Sequence, residues 1–158
     1  MRALGVDLST ATCGLAVVES PANLLFVATV KPSRGLAPSG KRAFILQYVE
    51  AAWRKYNYGV IVMEKPFVPF GGGSKVPMFS VEAILGLATT IEDWALRVDA
   101  AQVVKVASAS WRKEVLGNGR AKKIDAVRYA SATFGRTLRD DAAEAVCQAV
   151  WGLRKWTT

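Results

Sequence analysis

Three short runs of apolar and β-branched residues fall within the first thirty positions, with nothing longer than a turn between them. They are Arg2 to Leu8, Cys13 to Val18 and Leu24 to Val30, divided by Ser9-Thr10-Ala11-Thr12 and by Ser20-Pro21-Ala22-Asn23. Connectors that short permit hairpins and forbid crossover connections, so the chain opens as an antiparallel meander. After a Pro/Gly/Ser loop from Pro32 to Gly40 the period changes. Phe44, Ile45, Tyr48, Val49 and Ala52 recur at helical spacing and predict a helix from about Ser39 to Tyr56. Gly59 to Met63 is a continuous apolar run, read as a strand buried on both faces and closed by Glu64-Lys65-Pro66. Phe67 to Pro77, with three consecutive glycines and two prolines, reads as a mobile loop. A helix over Met78–Arg97 and a strand over Ala101–Val104 follow. A short helix opens at Ser110-Trp111 and stops at Gly117-Asn118-Gly119. Helices over Ala121–Phe134 and about Arg139–Trp156 complete the chain. Strands that first pair among themselves and then alternate with helices specify an α/β fold. The expected sheet is mixed and five-stranded, the first three strands antiparallel, then the fourth and fifth, with helices on its faces. No repeat, low-complexity tract or long linker divides residues 1–158, which read as one domain.

Histidine is absent. A Ser-His-Asp triad, a Cys-His pair and a His-ligated zinc are therefore excluded, and carboxylates, lysines or hydroxyls must carry any chemistry. Cys13 and Cys147 lie in apolar contexts without metal-ligand spacing and read as buried free thiols of a reducing compartment. Asp7 interrupts the first apolar stretch, which argues against a signal peptide. No run approaches the ~20 apolar residues of a membrane span, so a cytoplasmic protein with no membrane partner is expected. Lys and Arg number 21 against 13 Asp and Glu, a formal charge of +8 that suits a polyanion.

Asp7 stands within the first strand, where an ionised carboxylate is costly unless paired or bound to a cation. Glu64 closes the fourth strand, and the carboxyl ends of strands in open α/β sheets are where ligands sit. Asp141 and Glu144, three apart at the start of the last helix, share one of its faces. Acids favour a helix's first turn by ~0.3–1 kcal/mol, which explains one acid there better than three. Drawn together, these groups form a hard, oxygen-only site suited to Mg²⁺ or Mn²⁺.

The segments Gly5-Val6-Asp7-Leu8-Ser9 through Gly14-Leu15-Ala16-Val17, Val60 through Phe67, and Asp140-Asp141-Ala142-Ala143-Glu144-Ala145 resemble, in order and spacing, the RuvC Holliday-junction resolvases. The likeness covers most of the chain and implies a ribonuclease-H-like fold. It also implies that Asp7, Glu64, Asp141 and Glu144 are the catalytic acids, holding two Mg²⁺ ions (Mn²⁺ as a substitute) per active site. Glu144 departs from the family, which usually has Asp there, and this leaves Asp140 as a further candidate ligand. Phe67 matches the aromatic that such enzymes push into the junction centre. The basic stretch Arg112 to Lys123, around Gly117-Asn118-Gly119, resembles their DNA-contacting segment, with Arg112 or Lys113 and Lys123 at its lysine positions; Lys65, Arg112, Lys113, Arg120 and Lys123 are expected to contact phosphates. The implied activity is resolution of four-way junctions by paired, two-metal hydrolysis, leaving 5′-phosphate and 3′-hydroxyl ends. Paired cuts on a two-fold junction imply a homodimer, for which Phe79, Ile84, Leu87, Ile91 and Trp94 of the second helix offer an interface. No nucleotide cofactor is expected.

Four other readings compete. A ribonuclease H acting on RNA–DNA hybrids places its second acid on the first helix, where Glu50 stands, and a less selective branched-DNA nuclease shares the same acids. Actin-like ATPases open with a similar strand but close two such domains over a nucleotide. A non-catalytic DNA-binding module accounts for the charge and leaves the acids unexplained.

Overall fold

The computed structural model describes residues 1–66 and 78–156. Its strands are β1 (Ala3–Asp7), β2 (Cys13–Ser20), β3 (Asn23–Val30), β4 (Val60–Glu64) and β5 (Gln102–Val106). Its helices are α1 (Pro38–Tyr56), α2 (Met78–Arg97), α3 (Ser108–Leu116), α4 (Lys123–Phe134) and α5 (Asp140–Trp156). The strands form one sheet in the order β3-β2-β1-β4-β5. β1, β2 and β3 pair antiparallel as the short connectors require, whereas β4 lies parallel to both β1 and β5. The mixed five-stranded α/β sheet expected from the sequence is thus observed. β1 is its central strand because the crossover through α1 returns the chain to the free edge of β1.

Alternation along each strand sends residues to two distinct cores. Leu4, Val6, Leu15, Val17, Ile61 and Met63 face α1 and α2. Ala3, Ala16, Val18, Val60 and Val62 face α3, α4 and α5. β4 is buried on both faces, as a continuous apolar run demands. The dominant helix is α5, buried without interruption from Ala142 to Leu153. The sequence reading gave it a single apolar face, from Ala142, Ala145, Val146, Ala149 and Leu153. Its other faces are covered as well, because α3 and α4 close over it from outside.

Glycines set how closely α5 can approach. A Cβ on Gly5 would overlap the Ala145 carbonyl oxygen, and one on Gly14 would overlap the carbonyl oxygen of Asp141. With hydrogen at both positions, the backbone of α5 rests directly on β1 and β2.

α2 departs from its expected role. Leu87, Ile91 and Trp94, named above for a dimer interface, are buried in this chain's own core, and Ile84 packs against that core. Core packing claims them because α2 must cover the α1 side of the sheet. The exposed apolar groups of α2 are instead Phe79, Met78, Leu85 and Leu96. Among the described residues no helix is long and apolar enough to cross a membrane. Cys13 and Cys147 are buried free thiols, as read.

Candidate active site

Asp7 and Glu64 end two adjacent parallel strands, each one step past the paired residues Val6 and Met63. Strand alternation turns both toward the α5 side, since Asp7 follows Ala3 and Gly5, and Glu64 follows Val60 and Val62. Asp7 also lies opposite Gly14, the position whose missing side chain admits the first turn of α5. Asp141 and Glu144 are thereby delivered to the ends of β1 and β4 from the third direction. Asp7 and Glu64 share a cleft with Lys65 and the apolar side chains of Val81 and Ile84.

The electrostatics record this crowding. Burial, followed by the negative charges of Glu144, Asp141 and Glu64, pushes the Asp7 carboxyl up to about 7, with Lys123 opposing. Asp141 is also raised, first by burial and then by Asp140. Carboxylates gathered this closely call for a cation, and an oxygen-only set is chemically matched to Mg²⁺ or Mn²⁺. Asp7, Glu64 and Asp141 match such an ion by donor type. Among the described residues no three acids yet surround a common point.

Glu144 does not fit it as placed. The side chain is 3% exposed, and both its oxygens are taken, Oε1 by the Arg112 guanidinium at 2.6 Å and Oε2 by Lys123 Nζ at 3.1 Å. The family likeness made Glu144 a fourth metal ligand; here it is the anchor of two cations.

The two neighbouring acids also separate. Asp141 is 14% exposed and turned inward, whereas Asp140 is 47% exposed and its Oδ1 accepts a hydrogen bond from the Asp141 N–H at 3.0 Å. Asp140 behaves as a helix-start acid.

Sequence reasoning missed Trp111. Its indole is fully buried, and Nε1 donates to Glu64 Oε2 at 3.1 Å, orienting that carboxylate from behind. The Arg112 guanidinium lies 5.0 Å from the same ring. Neighbouring residues of α3 therefore hold one acid each, Trp111 gripping Glu64 and Arg112 gripping Glu144. A buried tryptophan beside a basic residue was the available signal, since an indole N–H inside a core needs an acceptor. Trp111→Phe keeps most of the ring and deletes the donor. It is expected to weaken Mn²⁺ binding and catalysis by about 10- to 100-fold, measured by calorimetry and turnover. Unchanged Mn²⁺ affinity would remove Trp111 from the site.

The remaining basic residues named from the sequence divide by exposure. Lys65, Lys113 and Arg120 are exposed, Arg112 is largely buried against Glu144, and Lys123 is half exposed beside the acids. Phe67 and the glycine loop lie outside the described residues. Glu50, the acid that a ribonuclease H layout would use, pairs with Arg54 at 3.6 Å on α1, across the sheet from Asp7.

A mixed five-stranded sheet in the order β3-β2-β1-β4-β5, flanked by five helices, is the ribonuclease-H-like α/β fold. No protein-family model and no curated protein matches the sequence. Solved structures match its fold. The chain superposes on Thermus thermophilus RuvC with a TM-score of 0.77 at 18% identity, covering 100% of this chain and 98% of that one. It matches T. thermophilus RuvC in complex with Holliday junction substrate at 0.75 and 19% identity, over 95% and 91% of the two chains. The yeast mitochondrial Holliday junction resolvase Ydc2 gives 0.63 at 13% identity, over 96% and 77%. The fold of this chain is that of the RuvC-like resolvases.

Proposed function

We propose that this chain is a structure-selective endonuclease that cuts four-way DNA junctions as a two-fold homodimer. The observation that carries the reading is the convergence of Asp7, Glu64 and Asp141 from β1, β4 and α5 beside a rim of exposed cations. The fold likeness to junction resolvases, one of them solved on its substrate, supports it. A ribonuclease H assignment is not favoured, because Glu50 faces away from Asp7.

Asp7, Glu64 and Asp141 would hold two Mg²⁺ ions, with Mn²⁺ able to substitute. When bound, such ions supply neutralising charge to the scissile phosphate and to the departing oxygen. The chain's own contribution is positioning. Trp111 fixes the Glu64 carboxylate, and the backbone contact of α5 on Gly14 fixes Asp141 relative to Asp7. Lys65, Lys113 and Arg120 meet the phosphate backbone of the junction arms, which sets register without reading sequence. The chain has no histidine, and metal-assisted hydrolysis needs no covalent intermediate; in this reading it leaves 5′-phosphate and 3′-hydroxyl ends. Phe79, 72% exposed near the start of α2, and Met78, 62% exposed, supply apolar surface for a second copy.

The test is cleavage of a labelled synthetic four-way junction with Mg²⁺, against linear duplex and RNA–DNA hybrid. Symmetrically paired nicks on the junction alone are expected. Cutting of the hybrid instead would move the assignment to a ribonuclease H, and metal-dependent cutting of none of the three would end the proposal.

A further inference from the structure

Lys123 stands where a cation is least expected and most exposed to exchange. It is the first residue of α4, where the helix dipole disfavours positive charge. Its ammonium nevertheless sits 3.1 Å from Glu144 and 3.8 Å from both Asp141 and Asp140. Burial works against its charge, yet Glu144, Asp7 and Asp140 outweigh that and hold its pKa above the usual lysine value. Lys123 thus serves as counter-ion to Asp141, which the proposed function assigns to metal, and to its neighbours Glu144 and Asp140, while its charge also acts on Asp7.

Its partner on Glu144 is held differently. Arg112 is a planar guanidinium, 22% exposed, lying by the Trp111 ring and only 2.6 Å from the carboxylate. Lys123 is 53% exposed, on a flexible four-carbon stem, with longer contacts. If Lys123 leaves, Glu144 keeps Arg112 and is not stranded as a bare buried charge. Arg112 is therefore the fixed member of the pair and Lys123 the exchangeable one.

We propose that Lys123 is a displaceable counter-ion, resting on the acids when no divalent ion is bound and passing to a DNA phosphate when one enters. This rests on the nuclease reading above. An ammonium and a divalent ion next to Asp141 repel each other, so entry of the ion frees the lysine, and a phosphate at the site edge receives it. Metal and DNA then bind cooperatively, each favouring the arrangement the other needs. Lys123 is thereby a positioning residue coupling two ligands.

The experiment uses Lys123→Gln, whose half-exposed side chain can change without opening the core, with a thermal midpoint within about 5 °C of wild type as the check on folding. Calorimetry with Mn²⁺ alone is expected to show about three- to tenfold tighter binding in the variant, because the competing ammonium is gone. Junction binding is then compared in Ca²⁺ and in EDTA. The tightening that Ca²⁺ produces in wild type is expected to shrink at least about threefold in Lys123→Gln. A site that Lys123 served only as a fixed phosphate contact would leave Mn²⁺ affinity unmoved. Mn²⁺ binding equal to or weaker than wild type, or an undiminished Ca²⁺ effect, overturns the exchange. Asp7→Asn separates the two readings. If it binds Mn²⁺ as tightly as wild type, the acids are not the metal site and the nuclease reading fails as well. If it loses Mn²⁺ while Lys123→Gln gains nothing, only the exchange falls.

Discussion

Asp7→Asn is expected to lower junction cutting by at least about 10³-fold while making the metal-free fold more stable. Both effects come from one place, the end of β1, where burial and then the gathered negative charge of Glu144, Asp141 and Glu64 act on the Asp7 carboxyl. The Asp7 pKa rises from 3.8 to about 7 on folding with no divalent ion bound. Below about pH 4 the group is protonated in both states and contributes no penalty. Between about pH 4 and pH 7 the folded state retains a proton that the unfolded chain has released, so stability falls as pH rises. Well above pH 7 the penalty is complete, on the order of 4 kcal/mol. Asparagine removes it. Urea denaturation in EDTA at about pH 8 should therefore show the variant more stable than wild type, with the difference closing toward about pH 4. Adding Mg²⁺ should stabilise wild type and leave the variant nearly unchanged. A variant less stable than wild type in EDTA would mean that Asp7 is satisfied by something other than a metal.

Gly14→Ala carries the second large effect, and it acts through backbone. The new methyl group would overlap the Asp141 carbonyl oxygen, which no rotamer change can relieve. α5 must lift from β2, and it is the helix that both cores' sheet depends on along its inner face. A loss of about 3 kcal/mol or more is expected from overpacking against main chain. Where the protein still folds, Asp141 is carried away from Asp7. Cleavage should then fall by about 10²-fold or more under conditions where circular dichroism reports native content. Native stability in Gly14→Ala would show that α5 can rest elsewhere.

The secondary structure was legible because it is driven by local pattern. Short connectors forced the meander, a run of apolar residues too brief for a helix marked β4, and Gly117 marked the end of α3, where it takes a positive φ of 79°. Asp7, Glu64 and Asp141 were legible for a related reason. A carboxylate at the end of an apolar strand, or a run of acids opening an otherwise apolar helix, conflicts with its surroundings unless something binds there. The roles that misled were those where a residue type suits two environments. Leu87, Ile91 and Trp94 are as good in a core as in an interface, and burial against α1 and the sheet decided for the core.

By itself the sequence determined which segments are strands and helices and that they form one mixed sheet. Each of those follows from periodicity and chain reach, which are properties of neighbours along the chain. The tertiary structure alone decided what Glu144 and Trp111 do. Glu144 lies 32 residues from Arg112 and Trp111 lies 47 from Glu64, so only the packing of α3 and α4 over α5 could show that one acid is held by two cations and another by an indole. A side chain's partner across such distances is set by how helices stack, and no local pattern encodes it.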